Sequence, residues 1–315
     1  MGRITGLFAL LGKPNKESRR PYPRPRNLST AEFDRIADVY DETRRALSEE
    51  TLNGIRQMLT KHGCNSVLEI GVGTGRVSIP LIKSGYEVSG VDVSRRMMEK
   101  ARTKGVSNLI LADGRMTPFR EKSVDATLMA HVFHLLEDPL SVMREAARVS
   151  RVGVFALLRK RSGSRPWFPF YGGEDAFFPG SGSEGDETAA RMFFEERRER
   201  FRKIAEKYHW NWDPSQRYRN WRNEQEILET HPPDDLKVVS SVMVNETIEE
   251  RIARFKKGGY GFTSEMPAEM REEIVREMRT RASSLPQWAR QPRNEVYQVA
   301  LWRSENLLGQ RQHKT

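Results

Sequence analysis

The sequence predicts an α/β fold built on a doubly wound sheet, and three observations carry that prediction. A branched apolar run, Val67-Leu68-Glu69-Ile70, leads into three glycines at alternate positions, Gly71, Gly73 and Gly75. A second run, Glu87 to Asp92, ends on an acid 21 positions after Gly71. Strand-like and helix-like stretches then alternate as far as Leu158, the pattern of consecutive β-α units.

Taken in order, Thr30 to Arg45 reads as a helix entered through Ser29 or Thr30, and Glu49 to Lys61 as a second. The first strand and its glycine turn follow. A helix is expected from Arg76 to Ser84, with Val77, Ile79, Leu81 and Ile82 as its apolar positions and Gly85 past its end. Glu87–Asp92 is the second strand, with Ser94 as cap of the next helix. Residues 108–112 and 124–129 supply two more strands. Asp138 caps a helix that has Pro139 at its first position and runs to Val149; Val152–Leu158 is the fifth strand. Further on, Leu236–Val244 and Glu295–Trp302 read as strands. Thr247–Lys257 and Pro267–Arg281 read as helices, joined by the glycine-rich stretch 258–262.

Glycines without Cβ atoms let a ligand approach the main chain, and the helix behind them offers N–H groups to a polar or anionic group. The spacing Glu69-x-Gly71-x-Gly73-x-Gly75-Arg76 resembles motif I of the class I S-adenosylmethionine (SAM)-dependent methyltransferases. The segment Phe33 to Arg44, with its Tyr40-Asp41 pair, is similar to the one before motif I in the ubiquinone/menaquinone methyltransferase-like group (methyltransferase type 11), and the resemblance runs from Phe33 to Leu158. It implies a seven-stranded, Rossmann-like methyltransferase sheet whose last strand is antiparallel and inserts beside strand five, with helical insertions as a cap.

It also implies a cofactor, SAM, with S-adenosylhomocysteine as product, and a set of contacts. The glycine loop Gly71, Gly73 and Gly75 would approach the methionine part, Asp92 would grip the ribose hydroxyls and Asp113 would receive the adenine amino group; Glu69, Arg76, Val93, Ser94 and Gly114 are further cofactor-binding candidates. Ala130 ends strand four at the reacting centre. Tyr40 either lies over the cofactor, where an aromatic face attracts a sulfonium, or packs at a helix end. Met97 either packs on the adenine or belongs to the core. At the end of strand four, His131-Val132-Phe133-His134 stands where methyltransferases of nucleic-acid amino groups have N/D-P-P-Y/F, and it resembles the H-V-L-H-L of small-molecule members. His131 and His134 are the candidate catalytic residues, His134 as proton acceptor; the alternative is a pair of packed, hydrogen-bonded histidines. Asp125 is expected to be structural.

The chain has 315 residues and a net charge of +10. Residues 1–28 form a basic arm, with seven Lys/Arg against Glu17 in the first 26; it either meets a polyanion or is a solvated tail. The core spans 29–158. A helical insertion, 159–235, holds four of the six tryptophans (Trp167, Trp210, Trp212, Trp221), the run Arg217-Tyr218-Arg219-Asn220-Trp221-Arg222 and a charged helix from Asp186 to Tyr208. Residues 236–305 return to the sheet with their own helical insertion, and 306–315 form a tail.

No apolar run is long enough to span a membrane. The single Cys64 excludes an internal disulfide and a Cys-rich zinc site, fits a cytoplasmic location, and sits away from where a cytosine-C5 nucleophile would be. No metal-ligand cluster is visible. Two acceptors are in play. Basic–aromatic interleaving and a pI of about 9.8 point to an RNA base, in rRNA or tRNA; the His-Val-Phe-His sequence points instead to a small metabolite under a helical lid.

Overall fold

A computed structural model of the chain describes residues 30–160, 195–196, 199–210, 223–258, 263, 266–282 and 292–309. The basic arm, Trp167, Trp212, Trp221, the run 217–222 and the loop 172–187 lie outside the described residues.

Seven strands form one sheet: β1 Ser66–Ile70, β2 Glu87–Asp92, β3 Asn108–Leu111, β4 Val124–Ala130, β5 Ser150–Lys160, β6 Asp235–Val244 and β7 Arg293–Arg303. Their order is β3-β2-β1-β4-β5-β7-β6. The first five are parallel, and β7 runs antiparallel to both β5 and β6, as the resemblance implies. The order reverses between β1 and β4, so a crevice opens past the carboxyl ends of these two strands.

Side chains alternate across the sheet, and each face is buried. Leu68, Met129 and Ala156 join one cluster with Val142, Met143 and Ala146 of helix α6 (Pro139–Val149). Their neighbours Val67, Leu128 and Phe155 join another, with Ile55, Met58 and Leu59 of α3 (Glu49–Lys61) and Leu81 of α4 (Ser78–Lys83). Two-sided burial explains why these strands read as continuous apolar runs. Helix α5, Arg95–Thr103, is capped by Ser94, whose hydroxyl accepts from the Met97 N–H at 3.2 Å. Asp138 and Pro139 open α6 as expected. Asp125 is structural: it accepts from the N–H groups of Asn65 and Ser66 and from Arg151, which hold its carboxyl well below the usual range.

Several boundaries differ. The expected first helix is two, α1 Thr30–Ile36 and α2 Tyr40–Thr43. The break lets three acids reach separate targets: Asp34 accepts from Ser94 Oγ and the Arg96 N–H, Asp38 pairs with Arg96 and Lys100, and Asp41 reaches Thr74 and Lys104. α4 starts at Ser78 rather than Arg76, because Arg76 and Val77 still belong to the turn. The expected tail begins as a helix, α9 (Ser304–Gly309), with Leu307 buried in the sheet core beside α6 residues.

A separate apolar cluster gathers the helices expected to form a cap. Helix α7 (Ile248–Lys256), closed at its start by a Thr247–Glu250 capping box, packs with α8 (Ala268–Thr280) and the helical stretch 199–207. Phe201, Ala205, Ile252, Phe255, Met270 and Ile274 fill the space between them.

Candidate active site

The glycine turn after β1 builds one wall of a cavity of about 180 Å³ at the crevice. Gly71 has φ +77°, and a Cβ there would lie 2.8 Å from Val132 Cγ1, so only glycine lets the turn pack against the end of β4. Gly73 has φ +53° and a side chain there would enter open space on the cavity wall. Gly75 is off the wall; a side chain there would meet Ile79 and Val106, so its work is packing.

Asp92 ends β2 and fixes this turn. Its Oδ2 accepts from the Gly73 N–H at 2.8 Å and its Oδ1 from the Ser94 N–H at 2.8 Å. Burial pushes its pKa up, opposed by those N–H bonds. An ionised carboxylate has about four acceptor sites, so lone pairs remain for a ligand. Glu69 also faces the cavity, with Ser78 donating its hydroxyl to it, and burial pushes its pKa up to about 8.

At the far side, Asp113 and Gly114 line the cavity. Arg115 grips Asp113, its Nε donating to Oδ1 at 3.1 Å and a terminal nitrogen to Oδ2 at 2.6 Å. Val93, Met97 and Ala130 are on the wall too, with Met97 buried beside Ile36. Ser94 is not; its hydroxyl caps α5 and donates to Asp34. Tyr40 lines the cavity, and the Arg44 guanidinium sits 4.7 Å from its ring centroid, so one face already holds a cation.

His131 lines the cavity with a left-handed backbone, φ +56°, which side-chain-bearing residues adopt at a cost of order 1–3 kcal/mol. Its ring stands edge-on to Tyr297 of β7, centroids 5.8 Å apart. Burial, with the charges of Arg76 and Arg159 nearby, pushes its pKa down to about 3, so it is neutral at physiological pH. His134 lies off the wall, on the turn Phe133–Leu135, and is not brought to the cavity. Cys64 is buried beneath the sheet, and its thiol is pushed up to about 12, which removes it as a nucleophile.

Sequence reasoning missed the contacts that tie the site together. Thr74 Oγ1 donates to Asp41 at 2.6 Å, Lys104 pairs with the same carboxylate, and Arg76 donates to the Arg45 carbonyl. These contacts strap the segment 40–45 across the glycine turn. Phe33, Leu47, Leu135 and Leu136 complete the apolar wall. Only Arg115, two residues from Asp113, leaves a local signal. Among the described residues no group of acids, histidines or cysteines is arranged to hold a metal ion, and no helix is long and apolar enough to cross a membrane.

Comparison with known proteins places this geometry. The methyltransferase domain family matches residues 68–158, from β1 to β5. The demethylmenaquinone methyltransferase of Thermotoga maritima is 30% identical over 162 residues, covering 45% of this chain and 71% of that protein. The chain belongs to the class I SAM-dependent methyltransferases. Within this family it is also similar to the demethylmenaquinone methyltransferase of Tropheryma whipplei strain Twist, 32% identical over 148 residues, 44% of this chain and 62% of that one. The phosphatidylethanolamine N-methyltransferase of Cereibacter sphaeroides is 31% identical over 122 residues, 36% and 59% of the two chains. The chain thus spans about three fifths of the length of the Tropheryma and Cereibacter relatives.

The family's cofactor is SAM, and the donor set fits it. A half-buried carboxylate on β2 suits a ribose diol, an open glycine wall suits a ligand lying against main chain, and a buried carboxyl on β1 suits a cationic group.

Proposed function

We propose that the protein transfers the methyl group of SAM to a small organic acceptor bound under the strap and helical cap. The observation that carries this reading is the cavity itself. It is walled by Phe33, Leu47, Leu135, Leu136 and Val142, with Tyr40 of the strap on the same wall, which suits a molecule that can be enclosed. The relatives' names add support, since they give a menaquinone precursor and a phospholipid as acceptors. The RNA reading drew on the basic arm and the run 217–222, both outside the described residues, and no observation on the site favours it.

In this reading Asp92, Val93, Met97, Asp113 and Gly114 hold the nucleoside, while Glu69, Gly71, Gly73 and Arg76 hold the amino-acid end. When bound, SAM supplies an electrophilic methyl on a positively charged sulfur. The chain supplies alignment and exclusion of water, which together lower the barrier without a covalent catalyst. His131 serves at the acceptor end as a neutral hydrogen-bond partner that adds no positive charge beside a sulfonium. Its depressed pKa makes it a weak base, so orienting the acceptor is a better role for it than removing a proton. His134, off the wall, is left out of this assignment.

The test is transfer of label from methyl-tritiated SAM into fractions of a cell extract, with Asp92→Ala protein as control. Label in the organic-extractable small-molecule fraction is expected. Label confined to RNA would overturn the reading.

A further inference from the structure

Glu69 has surroundings unlike those of the other acids at the site. Its side chain is buried, the residue being 2% exposed, yet it reaches the cavity wall. Its hydrogen-bond partner is Ser78 at the start of α4, through the hydroxyl and the main-chain N–H. Among the described residues, no lysine, arginine or histidine forms an ion pair with it. Arg76 is the nearby cation, but its guanidinium donates to the Arg45 carbonyl. From β2 the facing charge is Asp92, of the same sign. The register partners on the flanking strands, Gly90 and Leu128, carry no charge. An isolated buried carboxylate beside a second acid is costly, so the group keeps its proton.

We propose that Glu69 meets the cofactor as a neutral acid and ionises when a positively charged group of the ligand settles against it, so that cofactor binding releases a proton. This rests on the SAM reading above. SAM and S-adenosylhomocysteine both carry an α-ammonium, and a cation within about 4–6 Å is what a buried carboxyl needs in order to ionise. The fold withholds that cation and the ligand brings it; the carboxyl proton passes to solvent. Glu69 is therefore a specificity residue as well. It favours ligands with the ammonium over those without it, and the preference grows with pH until the empty site's carboxyl is itself ionised, near its pKa of about 8.

Calorimetry on the full chain tests this, with S-adenosylhomocysteine and 5′-methylthioadenosine as probes. The second keeps the adenosine and the thioether but lacks the amino-acid end. Both carry the ribose, so any proton exchange at Asp92 appears with both. Near pH 7, in buffers of different ionisation enthalpy, S-adenosylhomocysteine should release close to one proton more than methylthioadenosine. Its affinity relative to that of methylthioadenosine should rise about tenfold from pH 6 to pH 7 and level off near pH 8. Glu69→Gln should abolish the extra proton while still binding methylthioadenosine, which reports an intact fold; if that variant does not fold, the two-ligand comparison on the natural protein decides alone. Equal proton release with the two ligands, or an extra proton that survives in Glu69→Gln, overturns the proposal. Absence of binding by either ligand overturns the cofactor reading itself and the proposal with it.

Discussion

The sheet and the cap each have an apolar core, but they handle charge in opposite ways. At the base of the crevice, two acids stand without an ion pair among the described residues: Glu69 is buried with a hydroxyl for company, and Asp92 is committed to two N–H groups. On the cap, charges are many, mostly exposed and paired with one another. Arg202 bridges Glu199 and Glu206, Lys207 meets Glu273, and Arg281 reaches both Glu196 and Glu277. Exposed pairs of that kind contribute little to stability. The cap is thus held by its shared apolar cluster, while its charges keep a thin helical layer soluble. Between the two regions stands a third arrangement, in which buried Glu246 draws Arg45 from the strap and Arg251 and Arg254 from α7.

If this contrast is right, variants should separate the regions. The largest effect is expected from Phe255→Ala, which empties the middle of the cap cluster at a cost of about 3–5 kcal/mol. Thermal unfolding should then show an early cap transition while affinity for S-adenosylhomocysteine changes by less than a few-fold. A single transition with cofactor binding lost would join the two cores into one cooperative unit. Next comes Asp92→Ala, expected to weaken S-adenosylhomocysteine by roughly 100-fold, about 3 kcal/mol, since a charged partner and the turn it fixes are both lost. A loss below tenfold in calorimetry would remove Asp92 from the cofactor's grip.

Gly71→Ala should destabilise by about 1–3 kcal/mol in denaturant midpoints, from the left-handed backbone and the clash with Val132. A smaller effect comes from pH. The folded protein holds the Glu69 proton more tightly than the unfolded chain does, so the ligand-free protein should lose on the order of 1 kcal/mol as pH rises from about 6.5 to 8. His131 acts in the opposite sense on the acid side, where stability falls as pH drops below about 6.5 toward 3. Between about pH 4.5 and 6.5 the two effects oppose each other, so Glu69→Gln should remove the alkaline loss and steepen the His131 rise below about pH 6.5. The smallest effect is Arg202→Ala, which should leave the melting temperature unchanged despite removing two ion pairs.

What the sequence revealed follows the same division. The sheet was legible because its demands are local: branched runs for buried strands, glycines where φ is positive, Ser94 and Asp138 where helices begin. Asp92 was legible for the same reason, as the acid that ends a strand. The strap was not, because Asp41 meets Thr74 and Arg45 meets Glu246 across long stretches of chain that share no period or motif. The placement of His131 on the cavity wall and of His134 off it was not legible, because a histidine-valine-phenylalanine-histidine run says nothing about which ring a tight turn will face into the cavity. Nor could spacing foresee that burial would turn His131 into a weak base or close off the Cys64 thiol.

One topological detail carries a cost during synthesis. β7 lies between β5 and β6, yet it follows both of them along the polypeptide. Until the ribosome has made residue 303, the apolar rim of β5 has no neighbour, and a nascent chain displays an open strand able to pair with another copy. Truncations that remove β7 should therefore yield aggregates rather than a smaller soluble enzyme, even though every residue lining the crevice would still be present.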